Sequence, residues 1–269
     1  MNVQDKDGEP HRIAIGLEYD GSAFHGWQSQ TGGETVQDVL EAALAAIAGH
    51  AVRAHCAGRT DAGVHATGQV AHFDSLKVRP LSAWVRGVNA HLPKQVAILW
   101  AHPVSSEFHA RFSARTRRYR YELLNRPTRP GLLDAHVGWY HRPLDVGAMA
   151  RASRVLIGRH DFSAFRCAQC QAKSPIKTLH RLDIHQVGER ISFHLEADGF
   201  LHHMVRNIVG ALVEIGSARL SAQGLEDLLV VADRRRAPPT FSAAGLYFEG
   251  PTYDDGFSLP NYSGGGTAD

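Results

Sequence analysis

The sequence is short of several things that would point at once to a chemistry. Its 269 residues hold three cysteines, Cys56, Cys167 and Cys170, too few for a disulfide framework. Cys167-x-x-Cys170 is one pair, with neither a second pair nor a His at the usual zinc spacing, so it reads as loop thiols. No P-loop, G-x-G-x-x-G or G-x-S-x-G segment occurs, which leaves nucleoside triphosphate, dinucleotide and serine-hydrolase chemistry without support. No apolar run approaches the length of a bilayer; the best, around Ala42 to Ala48, is far too short. The opening stretch MNVQDKDGEP is polar and mixed in charge, unlike an export signal. A soluble cytoplasmic protein with reduced thiols is the expectation. Net charge is also scarce, at +2, and so is lysine: five of the 29 cationic residues are Lys and 24 are Arg.

What is present fits real hydrophobic cores, with 43% apolar residues, and a length suited to one large domain or two ordinary ones. The arginines are unevenly spread. Arg111 to Arg129 holds seven Arg and one acid, Glu122, a local basic stretch of the kind that meets a polyanion. Period-two alternation marks strands at His11 to Tyr19, Ala51 to Ala57, Gln69 to Asp74 and Val96 to Ala101. Thr35 is placed to cap a helix running to Gly49, and Leu81 to Leu92 reads as a second. This strand–helix–strand–strand–helix–strand order is ferredoxin-like. It partly recurs: a strand at Thr116 to Leu124, a helix from Asp145 through Leu156, an extended His160 to Phe165, a hairpin around Gly188, helices at Phe200 to Gly216 and Ser221 to Ala232, and a last strand at Gly245 to Phe248. The expectation is an α/β (α+β) protein with a flexible start at 1–10, domains at 11–105 and 106–249, and a poorly ordered tail at 250–269.

The chemistry centres on AGRTDAGVHATGQVAHFD, Ala57 to Asp74, where one carboxylate, Asp61, lies between Arg59 and His65 in a Gly-punctuated loop. Asp in such a loop often only bonds its own backbone. It could equally act as nucleophile, general base or metal ligand, although Asp61 and His65 have no cluster at ligand spacing. Arg206 interrupts an apolar helix face and needs an anion. Either a scaffold carboxylate, Glu214 or Asp198, serves it, or Arg206 keeps Asp61 ionised. Tyr119, on a basic strand, is either core or a stacking surface for a base.

GRTDAGVHATGQVAHF, together with YDGSAFHGWQSQ, RRYRYELLN, HDFSAFR and FLHHMVRNIVG, resembles the signature blocks of the tRNA pseudouridine synthase A family, in family order from residue 19 to about 248. The resemblance implies two ferredoxin-like domains whose antiparallel sheets join into one extended sheet, helices packed on one side, a basic cleft between the domains, and a cytoplasmic homodimer. It implies isomerisation of uridine to pseudouridine in the anticodon stem and loop of tRNA, without cofactor or metal, on a flipped-out nucleotide. Asp61 is then the catalytic aspartate, by attack at C1′ or by taking a ribose proton. Arg59 helps extrude or replace the base, Tyr119 stacks on uracil, Arg206 pairs with Asp61, and Leu246 lines the pocket. Arg115, Arg117, Arg118 and Lys173 are expected RNA contacts by charge and position. His202 stands where many relatives carry an aromatic residue. The alternatives are a non-catalytic RNA-binding protein on the same type of sheet and an Asp/His metal-dependent hydrolase.

Overall fold

The computed structural model describes residues 10–170 and 172–260; the expected flexible start, apart from its last residue, and the end of the expected tail lie outside them. Two compact units divide the chain. The first takes the described residues up to Arg115 and again from Phe248 on, and the second is Thr116–Tyr247. Both are α+β and mostly antiparallel.

In the first unit, β1 (His11–Tyr19) runs between β3 (His65–Ser75) and β4 (Val96–Pro103), antiparallel to each. Ile13 to Leu17 are all buried, so this strand is covered on both faces and its sequence alternation is a period of side-chain direction rather than of exposure. The expected strand at Ala51 to Ala57 shrinks to β2 (His55–Cys56), which pairs with His72 and Ala71 of β3. β3 starts at His65, four residues before the alternating run, and its far edge takes residues from Phe248 on of β10 (Leu246–Thr252). That strand outruns the expected stop at Phe248. Helix α1 (Val36–Ala48) is bounded as the sequence reads: Thr35 Oγ1 accepts from the Asp38 N–H, and Gly49 ends the helix at φ 75°, a conformation favoured for Gly. Leu40 and Leu44 are fully buried, each contributing about 2 kcal/mol of transfer free energy. The expected helix from Leu81 is short, holds a wide π turn at Ala83–Gly87, and buries Trp84 against Phe73.

In the second unit the sheet order is β5 (Thr116–Asn125), β9 (Arg190–Ala197), β8 (Ile176–Val187) and β7 (Gly158–Asp161), with β6 (Gly138–Tyr140) parallel to β5. Gly188, at φ 58°, turns the β8–β9 hairpin. Helix α2 (Val146–Ser153) is capped by Asp145, and α4 (Ala222–Val231) by Ser221. Helix α3 (Met204–Gly216) begins four residues later than the apolar period suggests, because His203 takes φ 65°, a left-handed conformation that cannot continue a right-handed helix. Among the described residues, no helix is long and apolar enough to cross a membrane.

Candidate active site

Asp61 sits half-buried on the loop that joins β2 to β3 in the first unit. The loop's shape is set by groups far from it in sequence. Helix α1 leaves its first N–H groups without helical partners, and Val36 and Gln37 donate them to the carbonyls of Gly26 and Trp27. Trp27 in turn donates its N–H to the Thr60 carbonyl at 3.0 Å, and Gly63 donates to the Phe24 carbonyl. The helix start therefore fixes the 20–35 loop, and that loop holds the backbone on either side of Asp61. The approach leaves no space for side chains. A Cβ on Gly26 would lie 2.7 Å from the Thr60 oxygen and 3.0 Å from the Asp61 carbonyl carbon, and one on Gly21 would lie 2.0 Å from the Val64 oxygen.

Side chains complete the clamp. Tyr19 Oη and Thr60 Oγ1 share a hydrogen bond of 2.8 Å, both buried, and Gln69 Nε2 donates to the Gly58 carbonyl at 2.7 Å. Burial raises the Tyr19 pKa, so the phenol stays neutral and serves as a hydrogen-bonding strut. The Val64 N–H bonds the Asp61 carbonyl across a turn in which Gly63 takes φ 75°. Asp61 is thus presented on rigid backbone, the arrangement a reacting group needs. Arg59, two residues earlier, is exposed. Burial pushes the neighbouring Cys56 thiol up to about 12, against the pull of the Arg59 and Arg111 charges; Cys56 is an inert core thiol at neutral pH.

The other candidate residues fall mainly in the second unit. Tyr119 is buried in β5 opposite Leu195, its ring edge-on to Phe200 at 5.0 Å. Arg206 is half-buried on α3, and its Nε donates to the Phe241 carbonyl at 2.8 Å. Of the two scaffold carboxylates considered for Arg206, Glu214 pairs with Arg219 at 2.6 Å and Asp198 accepts from the Thr178 N–H. Leu246 opens β10 and is buried. Arg117 donates to the Asp198 carbonyl, and Arg118 and Lys173 are exposed. Arg115, in the first unit, is gripped in a two-bond fork by Asp254 at 2.8 and 2.7 Å, so its charge is answered within the protein.

One group could hold a metal within the second unit: Cys167 Sγ and imidazole nitrogens of His202 and His203 lie within 4.8 Å of one another. Three donors leave a tetrahedral site one ligand short. Gly21 and Gly26, both in YDGSAFHGWQSQ, are spacers for the Asp61 loop, a role not visible in the sequence. The signal was two glycines in an aromatic loop; their contacts were not in it.

The chain is similar to one protein family and its members over most of its length. The profile of the family described as tRNA pseudouridine synthase matches residues 16–113 and 152–254. A tRNA pseudouridine synthase A of Dechloromonas aromatica (strain RCB) is 60% identical over 250 residues, covering 93% of this chain and 95% of the relative. Proteins of the same name from Chromobacterium violaceum and from Thiobacillus denitrificans (strain ATCC 25259 / T1) are 59% and 58% identical, over 93% and 94% of this chain and 96% and 97% of their own lengths.

Proposed function

The chain belongs to the tRNA pseudouridine synthase family and is an isomerase acting on tRNA; from that premise we propose that it converts uridines of the anticodon stem and loop, with Asp61 as the reacting carboxylate. The observation that carries this reading is the loop itself. One carboxylate stands on backbone clamped by Trp27, Gly26, Tyr19 and Gln69. Enzymes use such fixed geometry to hold a nucleophile against a bound substrate.

The target uridine is flipped out of the stack, and Asp61 attacks at C1′. An Asp61 oxygen–C1′ bond forms as the N1–C1′ bond breaks, the uracil turns, and C5 bonds to C1′ as the Asp61–C1′ bond breaks and frees the carboxylate. The proton lost from C5 is matched by one gained at N1, so no atom or electron is exchanged with a partner and no cofactor or metal is called for. Arg59 fills the place of the extruded base. Tyr119 stacks on the uracil, Leu246 lines its pocket, and Arg206 is the cation that keeps the reacting carboxylate ionised. Arg118 and Lys173, both exposed, are phosphate contacts, with Arg115 and Arg117 contributing through the segments they brace. The enzyme works as a cytoplasmic homodimer.

The test is tritium release from tRNA labelled at uridine C5, comparing wild type with Asp61→Asn in the presence of a chelator. Release by wild type and none by the variant, with tRNA binding retained, is the expected result. Binding without release by wild type would leave an RNA-binding protein, and release by Asp61→Asn would remove the nucleophile.

A further inference from the structure

Phe112 stands apart from the other described aromatic residues. The residue is 75% exposed, although Phe is a residue type most often buried. Single exposed apolar residues are ordinary, but this one is held rigidly. His109 Nδ1 accepts the N–H groups of both Arg111 and Phe112, and His109 and Ser113 exchange two further bonds. The Ala110 N–H bonds His72 Nδ1, and the Ala110 carbonyl accepts from Tyr253. A five-residue turn is thereby fixed on a buried base of Phe108 and Ala110, with its ring pointed outward.

The ring is also chemically dressed. The His109 imidazole lies 4.3 Å from it, and the Arg111 guanidinium lies over it at 5.7 Å. The His109 ring also meets the exposed His55 and the buried His72. His55 belongs to β2, the strand from which the Asp61 loop departs, and both Arg59 and Arg111 act on the Cys56 thiol beside it. The exposed Phe therefore carries a cation, Arg111, over its ring, on a turn whose His109 contacts β2, the strand from which the Asp61 loop departs.

We propose that Phe112, with Arg111 over it, is a stacking platform for an unpaired base of the tRNA, distinct from the uridine that reacts. The inference rests on tRNA being the substrate. An aromatic face takes any base, and a neighbouring guanidinium adds cation–π and phosphate attraction. A base can reach it only where the RNA is single-stranded or unstacked, so the platform selects for a loop beside the modified position. A protein partner or a second copy would be served by an apolar ring as well, but neither would need the guanidinium.

The experiment measures binding of an unmodified tRNA transcript across a salt series, with wild type, Phe112→Ala, Phe112→Trp and Arg111→Gln. Phe112→Ala weakens binding roughly 5- to 100-fold, Phe112→Trp restores it, and the salt slope of both stays that of wild type. Arg111→Gln lowers that slope by about one. Unchanged affinity in Phe112→Ala, with wild type binding and modifying the transcript, would overturn the platform and leave the enzyme reading intact. A change in sedimentation with affinity kept would assign the ring to self-association instead, and no binding by wild type would overturn both readings. Because the ring is exposed, folding of the variants is not at stake, and thermal melting checks it.

Discussion

Replacing Gly26 by Ala tests how far the reactive loop depends on its scaffold, and Gly33→Ala is the matched control. Both glycines take positive φ, 91° and 72°. A β-carbon in left-handed backbone costs about 1–2 kcal/mol at either position. The surroundings differ. Nothing lies within 4 Å of a Cβ at Gly33, whereas at Gly26 the Thr60 oxygen is at 2.7 Å and the Asp61 carbonyl carbon at 3.0 Å. Reaching ordinary contact at 3.4 Å demands a shift of about 0.7 Å, and it falls on backbone, which cannot swing aside. Misplacing a reacting group by about 1 Å costs around 100-fold in rate, so Gly26→Ala loses about 10- to 100-fold in single-turnover pseudouridine formation. Gly33→Ala loses stability alone. Urea denaturation measures the backbone cost that both variants share, and the single-turnover rate separates them, since only Gly26→Ala loses rate. Equal single-turnover rates in the two variants would refute the clamp.

Thr60→Val removes one buried partner of Tyr19 Oη, leaving the Gln69 amide at 3.4 Å, and should cost about 1–3 kcal/mol in urea unfolding; an unchanged midpoint would show that the phenol is satisfied without Thr60. Arg206→Met should depress the rate at saturating tRNA more than the affinity if the cation has the proposed role of keeping the reacting carboxylate ionised; a pure affinity loss would contradict that role. His72 is neutral in the fold, its pKa lowered to about 3 chiefly by burial and further by His109, Arg12 and His55, with Asp74 opposing. The unfolded chain takes up that proton near pH 6.5, so this stability is present above 6.5 and lost as pH falls toward 3. By pH 5 the loss reaches up to about 2 kcal/mol. His72→Asn, which keeps an acceptor for the Ala110 N–H, should flatten the decline between pH 7 and 5, and an identical slope would rule His72 out as its source.

Helix α1 was legible because both of its ends are local chemistry: a Thr that caps and a Gly that turns. The β8–β9 hairpin was legible for the same reason, through Gly188. Asp61 was legible as a candidate but not as a fixed one, since its clamp joins residues 19, 26, 27 and 69, and no window of sequence holds them together. The start of α3 was misjudged because apolar spacing records which side chains face the core, while the left-handed backbone of His203 leaves no trace in it. Phe112 escaped for the opposite reason. Composition treats every Phe as core, and only the turn built on His109 shows this one facing out.

The first unit is not one stretch of chain. Its β3 edge is completed by residues from Phe248 on, reached only after all of Thr116–Tyr247 has been made. Phe248 is fully buried, its ring 3.3 Å from where a Cβ on Gly58 would stand, and a Cβ on Gly68 would lie 2.3 Å from the Glu249 oxygen. On the ribosome, where domains generally fold from the N-terminus as they emerge, this order is broken. The segment bearing Asp61 is synthesised early yet waits for the last strand to close its sheet, while the later unit is contiguous. Nascent or prematurely terminated chains thus carry the aspartate without the finished framework around it, and competence for catalysis becomes a property of the completed polypeptide.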